Sequence, residues 1–193
     1  MDKLKTIVWD VDDVLNDLMR SWLLLWCQKH PGCVIGYDDL KENPPHEVLA
    51  ITLESYLQSL DAFRLSPAYQ QMVPREDVRD WFLQHGRSFR HIALTAVPLR
   101  AAPLSAQWVF RHFGLWIRTF HFVPSKREDE TIPDYDRDKT AVLQRLGMVD
   151  FFVDDHAEHV VAAQKAGVNS LFFPRPWNQR EMSVAETLGR LRA

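Results

Sequence analysis

A chain of 193 residues has room for one well-cored domain and a small insertion, and 46% apolar with 11% aromatic residues are the proportions of a globular protein, not a disordered one. A formal charge of −3 at pH 7 leaves no basic footprint for a nucleic-acid polymer or for an anionic membrane, so a small molecule is the expected partner. Two cysteines, Cys27 and Cys33, are too few for a disulfide framework, and the N-terminal residues enter a strand-like run without a secretory apolar region. The apolar stretch Trp22 to Trp26, flanked by Arg20 and Lys29, falls well short of the roughly 20 residues that a membrane span needs. A cytoplasmic protein is expected, with no membrane partner and no handle on homo-oligomerisation.

In chain order, the first strand-length apolar run is Thr6 to Trp9, and it ends in Asp10-Val11-Asp12 followed by Asp13. Leu15 to Lys29 then reads as a long apolar-rich helix, and Pro31-Gly32 and Asn43-Pro44-Pro45 as turns. His46 to Leu60 carries apolar positions at helical spacing, and Ser66-Pro67 offers an N-cap with proline at the first helical position. Pro74 to His85 is a further helix. The gap between Trp9 and the second apolar run, His91 to Thr95, exceeds what a single crossover requires, so residues 17–74 are expected to form an inserted helical cap. Residues 1–16 and 75–193 would form the core.

Beyond Thr95, helix Ala101 to Phe113 stops at Gly114, strand Ile117 to Phe122 follows, and Lys126 to Asp138 is a charged, proline-interrupted loop. Lys139 to Leu146 stops at Gly147, strand Phe151 to Val153 ends in Asp154-Asp155, helix Ala157 to Ala166 stops at Gly167, and Ser170 to Phe173 is the fifth strand. Continuously apolar strands alternating with helices predict an α/β fold, an open parallel sheet covered by helices on both faces.

Asp10, Asp12, Thr95, Lys139, Asp154 and Asp155 all fall at the C-terminal ends of predicted parallel strands or at the start of the helix that feeds one, the edge where ligand sites of open α/β sheets form. Paired carboxylates at a strand end suit phosphoryl transfer, one attacking and the other managing a proton. They repel a phosphate unless a cation such as Mg2+ intervenes. Each residue alone has an ordinary structural use: Thr95 as a strand-end residue, Lys139 as a solvated helix-start lysine, and Asp154-Asp155 as an N-cap. Their order along the chain favours a joint catalytic one. Lys126 rivals Lys139, and Lys139 is preferred because its helix leads into Asp154. Cys27, His30 and Cys33 lack the paired spacing of a zinc site, and His156 and His159 read as exposed residues of a first helical turn.

The motifs Asp10-Val11-Asp12, Thr95, Lys139 and Asp154-Asp155 resemble those of the haloacid dehalogenase-like hydrolase superfamily, and the insertion resembles its first type of cap. The cap position and the ending Phe172 to Asn178 look most like the 5'-nucleotidase and deoxyribonucleotidase-like branch. Asp13 departs from the pattern, standing where many members carry glycine. The resemblance implies a Rossmann-like sheet and a Mg2+-dependent phosphatase. In it Asp10 attacks phosphorus to form an aspartyl-phosphate, Asp12 is the acid and base, and Thr95 and Lys139 hold the phosphoryl oxygens. Asp10, Asp12 (through its carbonyl) and Asp155 would bind the metal, with Asp154 either a further ligand or a group that orients them. Arg100 and Arg175 could each reach a phosphate or sugar at the mouth or equally be surface arginines, with Arg100 assigned to substrate binding. A nucleoside 5'-monophosphate is the substrate class implied. The alternatives are a phosphatase for a sugar phosphate or other small phosphorylated metabolite, and a fold kept for binding without turnover.

Overall fold

The computed structural model describes residues 4–127, 130–133, 135–178 and 182–192. Residues 1–3 and residues 128, 129 and 134 of the charged loop lie outside the described residues. Among the described residues, strands β1 (Thr6–Trp9), β2 (Arg90–Val97), β3 (Ile117–Pro124), β4 (Phe151–Asp154) and β5 (Ser170–Phe172) form a sheet in the order β3-β2-β1-β4-β5, every neighbouring pair parallel. The helices are α1 (Leu18–Lys29), α2 (Leu53–Arg64), α3 (Pro67–Gln71), α4 (Glu76–His85), α5 (Ala102–Phe113), α6 (Lys139–Leu146), α7 (Ala157–Lys165) and α8 (Val184–Gly189).

Alternation along buried strands builds the layers. Ile7 and Trp9 of β1 and Phe151 and Val153 of β4 point to one face, where α4, α5 and α8 bring Phe82, Trp108 and Leu188. Val8 and Phe152 point to the other, against Val142 and Leu143 of α6 and Ala163 of α7. With helices on both faces, the central strands β1 and β4 are buried throughout, which is why they read as unbroken apolar runs. The first apolar cluster continues without interruption into the insertion, where Trp22, Tyr56 and Phe63 join it.

Helix α1 starts at Leu18, not at Leu15 as its apolar content predicts. Residues 12–15 form a turn, and Asp13 takes a left-handed conformation (φ 62°), one that an aspartate tolerates and glycine adopts freely. The Asp13 carboxylate accepts from the Met19 amide, one of the orphan donors of the helix's first turn. The predicted helix at His46 also begins later. Residues 47–50 turn, Ala50 is left-handed, and Thr52 caps α2 by accepting from Ser55 N at 3.1 Å.

Gly147 and Gly167 end their helices left-handed, as expected of C-terminal glycines. Gly114 does not, its φ being −60°; it is required for space, since a Cβ there would run into the Phe110 carbonyl. Cys27 and Cys33 are joined as a disulfide with Cα atoms 5.1 Å apart, which leaves no thiolate for a metal. Among the described residues, no helix is long and apolar enough to cross a membrane.

Candidate active site

Asp10 follows β1 directly and remains in the sheet, its amide donating to the Val153 carbonyl at 2.9 Å. β4 delivers Asp154 and Asp155 beside it, β2 delivers Thr95, and the first residue of α6 delivers Lys139. Lys139 Nζ lies 2.7 Å from both Asp10 Oδ1 and Asp154 Oδ2, with only 2% of its side chain exposed. The ligand atoms of Asp10, Asp154 and Asp155 lie within 4.8 Å of one another, all three side chains buried.

The electrostatics follow from crowding charges away from water. Burial pushes the Asp10 carboxyl up, Lys139 opposes it and Asp154 adds to it, leaving Asp10 at about 6. Burial works in the same direction on Asp154, but Lys139 and His159 outweigh it and hold that carboxyl well below the ordinary range. Lys139 is raised, because Asp10 and Asp154 together overcome its own burial. Asp155 is pushed far up by burial, with Asp154, Asp10 and Asp13 all adding repulsion. Such a set of buried carboxylates, short of positive charge, fits a divalent cation that takes hard oxygen ligands.

Two oxygens are open for this. Asp10 Oδ1 accepts from Val11 N (2.8 Å) and from Lys139, and Asp155 Oδ2 accepts from Trp177 Nε1 (2.8 Å), whereas Asp10 Oδ2 and Asp155 Oδ1 accept nothing from the described residues. Asp154 is fully engaged: Lys139 holds Oδ2, and the His156 amide and His159 lie on Oδ1. Its place is that of a group orienting Lys139 as much as that of a ligand.

The Asp12 carboxylate turns away from this cluster toward the insertion. Its Oδ1 accepts from Tyr69 Oη (3.1 Å) and Asn16 Nδ2 (3.2 Å), and its Oδ2 from Arg64 Nε (3.2 Å) and Nη2 (3.1 Å). Arg64 and Tyr69 carry no local sequence signal for this, being 52 and 57 residues away along the chain. Thr95 is buried and lines the cavity together with Asp10, Asp12, Lys139 and Asp155.

Arg100 does not line the cavity. Its guanidinium lies 3.2 Å from Asp61 on α2. Arg175 is likewise turned inward, its guanidinium on the Asp13 and Asn16 carbonyls and 3.0 Å from Asp17, so it fastens the turn behind the site. Lys126 does not line the cavity either.

The cavity holds about 120 Å³. Its floor is the C-terminal edge of the sheet, and its roof comprises Leu18, Met19, Asn43, Tyr56, Leu60 and Arg64 from the insertion.

No family model matches this chain, and no curated protein matches it. Solved structures do. A haloacid dehalogenase-like family hydrolase from Streptococcus pneumoniae aligns over 100% of both chains with a TM-score of 0.64 at 10% identity. A HAD-type hydrolase from Bacillus subtilis, solved bound to magnesium, aligns over 98% of this chain and 97% of its own, with a TM-score of 0.58 at 12% identity. The L-2-haloacid dehalogenase from Xanthobacter autotrophicus, with chloropropionic acid covalently bound, aligns over 88% and 77%, with a TM-score of 0.55 at 17% identity. The chain therefore has the α/β fold of haloacid dehalogenase-like hydrolases, with a helical insertion after the first strand.

Proposed function

We propose that this chain is a Mg2+-dependent phosphomonoester hydrolase that works through an aspartyl-phosphate on Asp10. The observation that carries it is Lys139 held at 2.7 Å from both Asp10 and Asp154, with Asp155 beside them and Thr95 lining the same cavity. Asp10, Asp154 and Asp155 would hold the cation, with the Asp12 carbonyl a further ligand from the turn. Bound Mg2+ supplies charge neutralisation and polarisation of a phosphoryl oxygen.

One carboxylate oxygen of Asp10 attacks phosphorus in line while the bond to the ester oxygen breaks. Asp12 gives its proton to that departing oxygen, then takes one from the water that hydrolyses the acyl-phosphate. Inorganic phosphate leaves and Asp10 is restored. Lys139 and the Thr95 hydroxyl bear on the phosphoryl oxygens, where charge builds up in the transition state. Displacement of halide needs no proton on the leaving group, so the dehalogenase chemistry found on this fold would leave Asp12 without its part as an acid.

The substrate is a small phosphorylated metabolite. A cavity of about 120 Å³ is well below the roughly 300 Å³ at which pockets for drug-sized ligands begin, so a nucleoside 5'-monophosphate enters only with the cap displaced. The test is phosphate release from phosphorylated acids, sugar phosphates and nucleoside 5'-monophosphates, with Mg2+ or with EDTA. Release that requires Mg2+ and falls to background in Asp10→Asn is the expected outcome. Hydrolysis retained by purified Asp10→Asn sinks the mechanism.

A further inference from the structure

Arg64 is the cation that the cap brings into the cavity. Among the described residues lining it, Arg64 and Lys139 carry the permanent positive charges. Lys139 is committed between Asp10 and Asp154. Arg64 stands on the opposite wall, its side chain 10% exposed, and its counter-charges are shared. Asp61, whose side chain is 3% exposed, receives Arg127 on both oxygens (2.7 and 2.9 Å) and Arg100 at 3.2 Å, leaving Arg64 the longest contact at 3.5 Å. Three guanidiniums thus divide the carboxylates of Asp61 and Asp12, and Arg64, which reaches both, is the one facing the cavity. The rest of the cap wall is mostly apolar, with Leu18, Met19 and Leu60, and the Tyr56 hydroxyl is turned to the Met19 sulfur at 3.6 Å. A wall of that kind offers little to sugar hydroxyls and one strong site to an anion. A guanidinium fork matches a carboxylate in shape as well as in charge.

We propose that Arg64 is the specificity-determining residue of this site, and that it recognises the carboxylate of a small phosphorylated carboxylic acid whose phosphoryl group lies against Asp10, Thr95 and Lys139. The inference rests on the phosphatase reading above. It also gives the Arg64 to Asp12 contact a consequence: a substrate carboxylate that draws Nε and Nη2 away opens Asp12 Oδ2 toward the leaving oxygen.

The test uses matched phosphate esters with and without a carboxylate, phosphoglycolate against ethyl phosphate and 3-phosphoglycerate against glycerol 3-phosphate, each with Mg2+. In the wild type, kcat/KM should favour the acid by about 10-fold to 100-fold in at least one pair, the discrimination that a hydrogen bond to a charged group supplies. Arg64→Gln should bring that ratio close to one, mainly by raising KM for the acid, while Arg64→Lys should keep part of it. Turnover with no preference for the acid in either pair overturns the role of Arg64 and leaves the phosphatase standing, and this outcome needs no variant to fold. A preference that persists in folded Arg64→Gln also overturns it. Release from none of the four esters, nor from any other phosphate ester, overturns the phosphatase and this inference with it.

Discussion

His91, near the start of the strand that carries Thr95, shows how a buried polar residue is satisfied. Its Nδ1 accepts from Trp9 Nε1 at 3.0 Å and its Nε2 donates to the Gly86 carbonyl at 2.8 Å, so the neutral ring with the proton on Nε2 fits both partners. Burial lowers its pKa from 6.5 to about 4 against the pull of the Gly86 carbonyl. Between those values the unfolded chain holds the extra proton and the folded chain does not. The stabilisation is therefore full above about pH 6.5 and lost as pH falls toward 4, a loss of about 3 kcal/mol. Urea midpoints measured from pH 7.5 to 4 should fall more steeply in wild type than in His91→Gln, and parallel curves would contradict this role. The sequence could not single out His91, since an apolar strand start hides the pairing with Trp9. Asp10, Thr95, Lys139 and Asp155 were legible because each lies at or near the C-terminal end of a strand or opens the helix leading into one. Arg64 and Tyr69 were not, because their contacts with Asp12 cross from cap to core.

At the scale of elements, the strands were read nearly to their ends, since unbroken apolar runs between polar turns leave little ambiguity. The helix starts were read less well. Leu15 is apolar and suits α1 by composition, but the left-handed turn at Asp13 delays the helix to Leu18. Helix α8 escaped notice, although Ser183 and Glu186 form a capping box at its start. Besides the contacts of Arg64 and Tyr69 with Asp12, two carboxylates, Asp17 and Asp61, tie the insertion to its surroundings. Asp17 at the head of α1 pairs with Arg75 (2.6 Å) and with Arg175, where the insertion leaves and rejoins the core. Asp61 of α2 reaches Arg100, just past β2, and Arg127, just past β3. Replacing Asp61 with Asn leaves the Arg127 guanidinium, 11% exposed, without its counter-charge and should cost about 3 kcal/mol in chemical denaturation, with faster hydrogen exchange along α2. Unchanged stability and unchanged exchange would remove Asp61 as the cap's anchor.

For the molecule as a whole, the proposed function divides chemistry and selection between sheet edge and insertion. The parallel sheet places Asp10, Thr95, Asp154 and Asp155 at one edge, and the insertion closes over them through an apolar cluster continuous with the core. Closure of this kind would keep bulk water from the acyl-phosphate proposed on Asp10 and strengthens every charge interaction inside. The nucleophile is the claim on which the rest depends. Wild-type protein mixed with Mg2+ and a substrate that it turns over, quenched in acid during the first turnovers and mapped by peptide mass, should carry a phosphoryl group on Asp10 that hydroxylamine removes. Phosphate release with no phosphoryl group on Asp10, or with one on another residue, would contradict it.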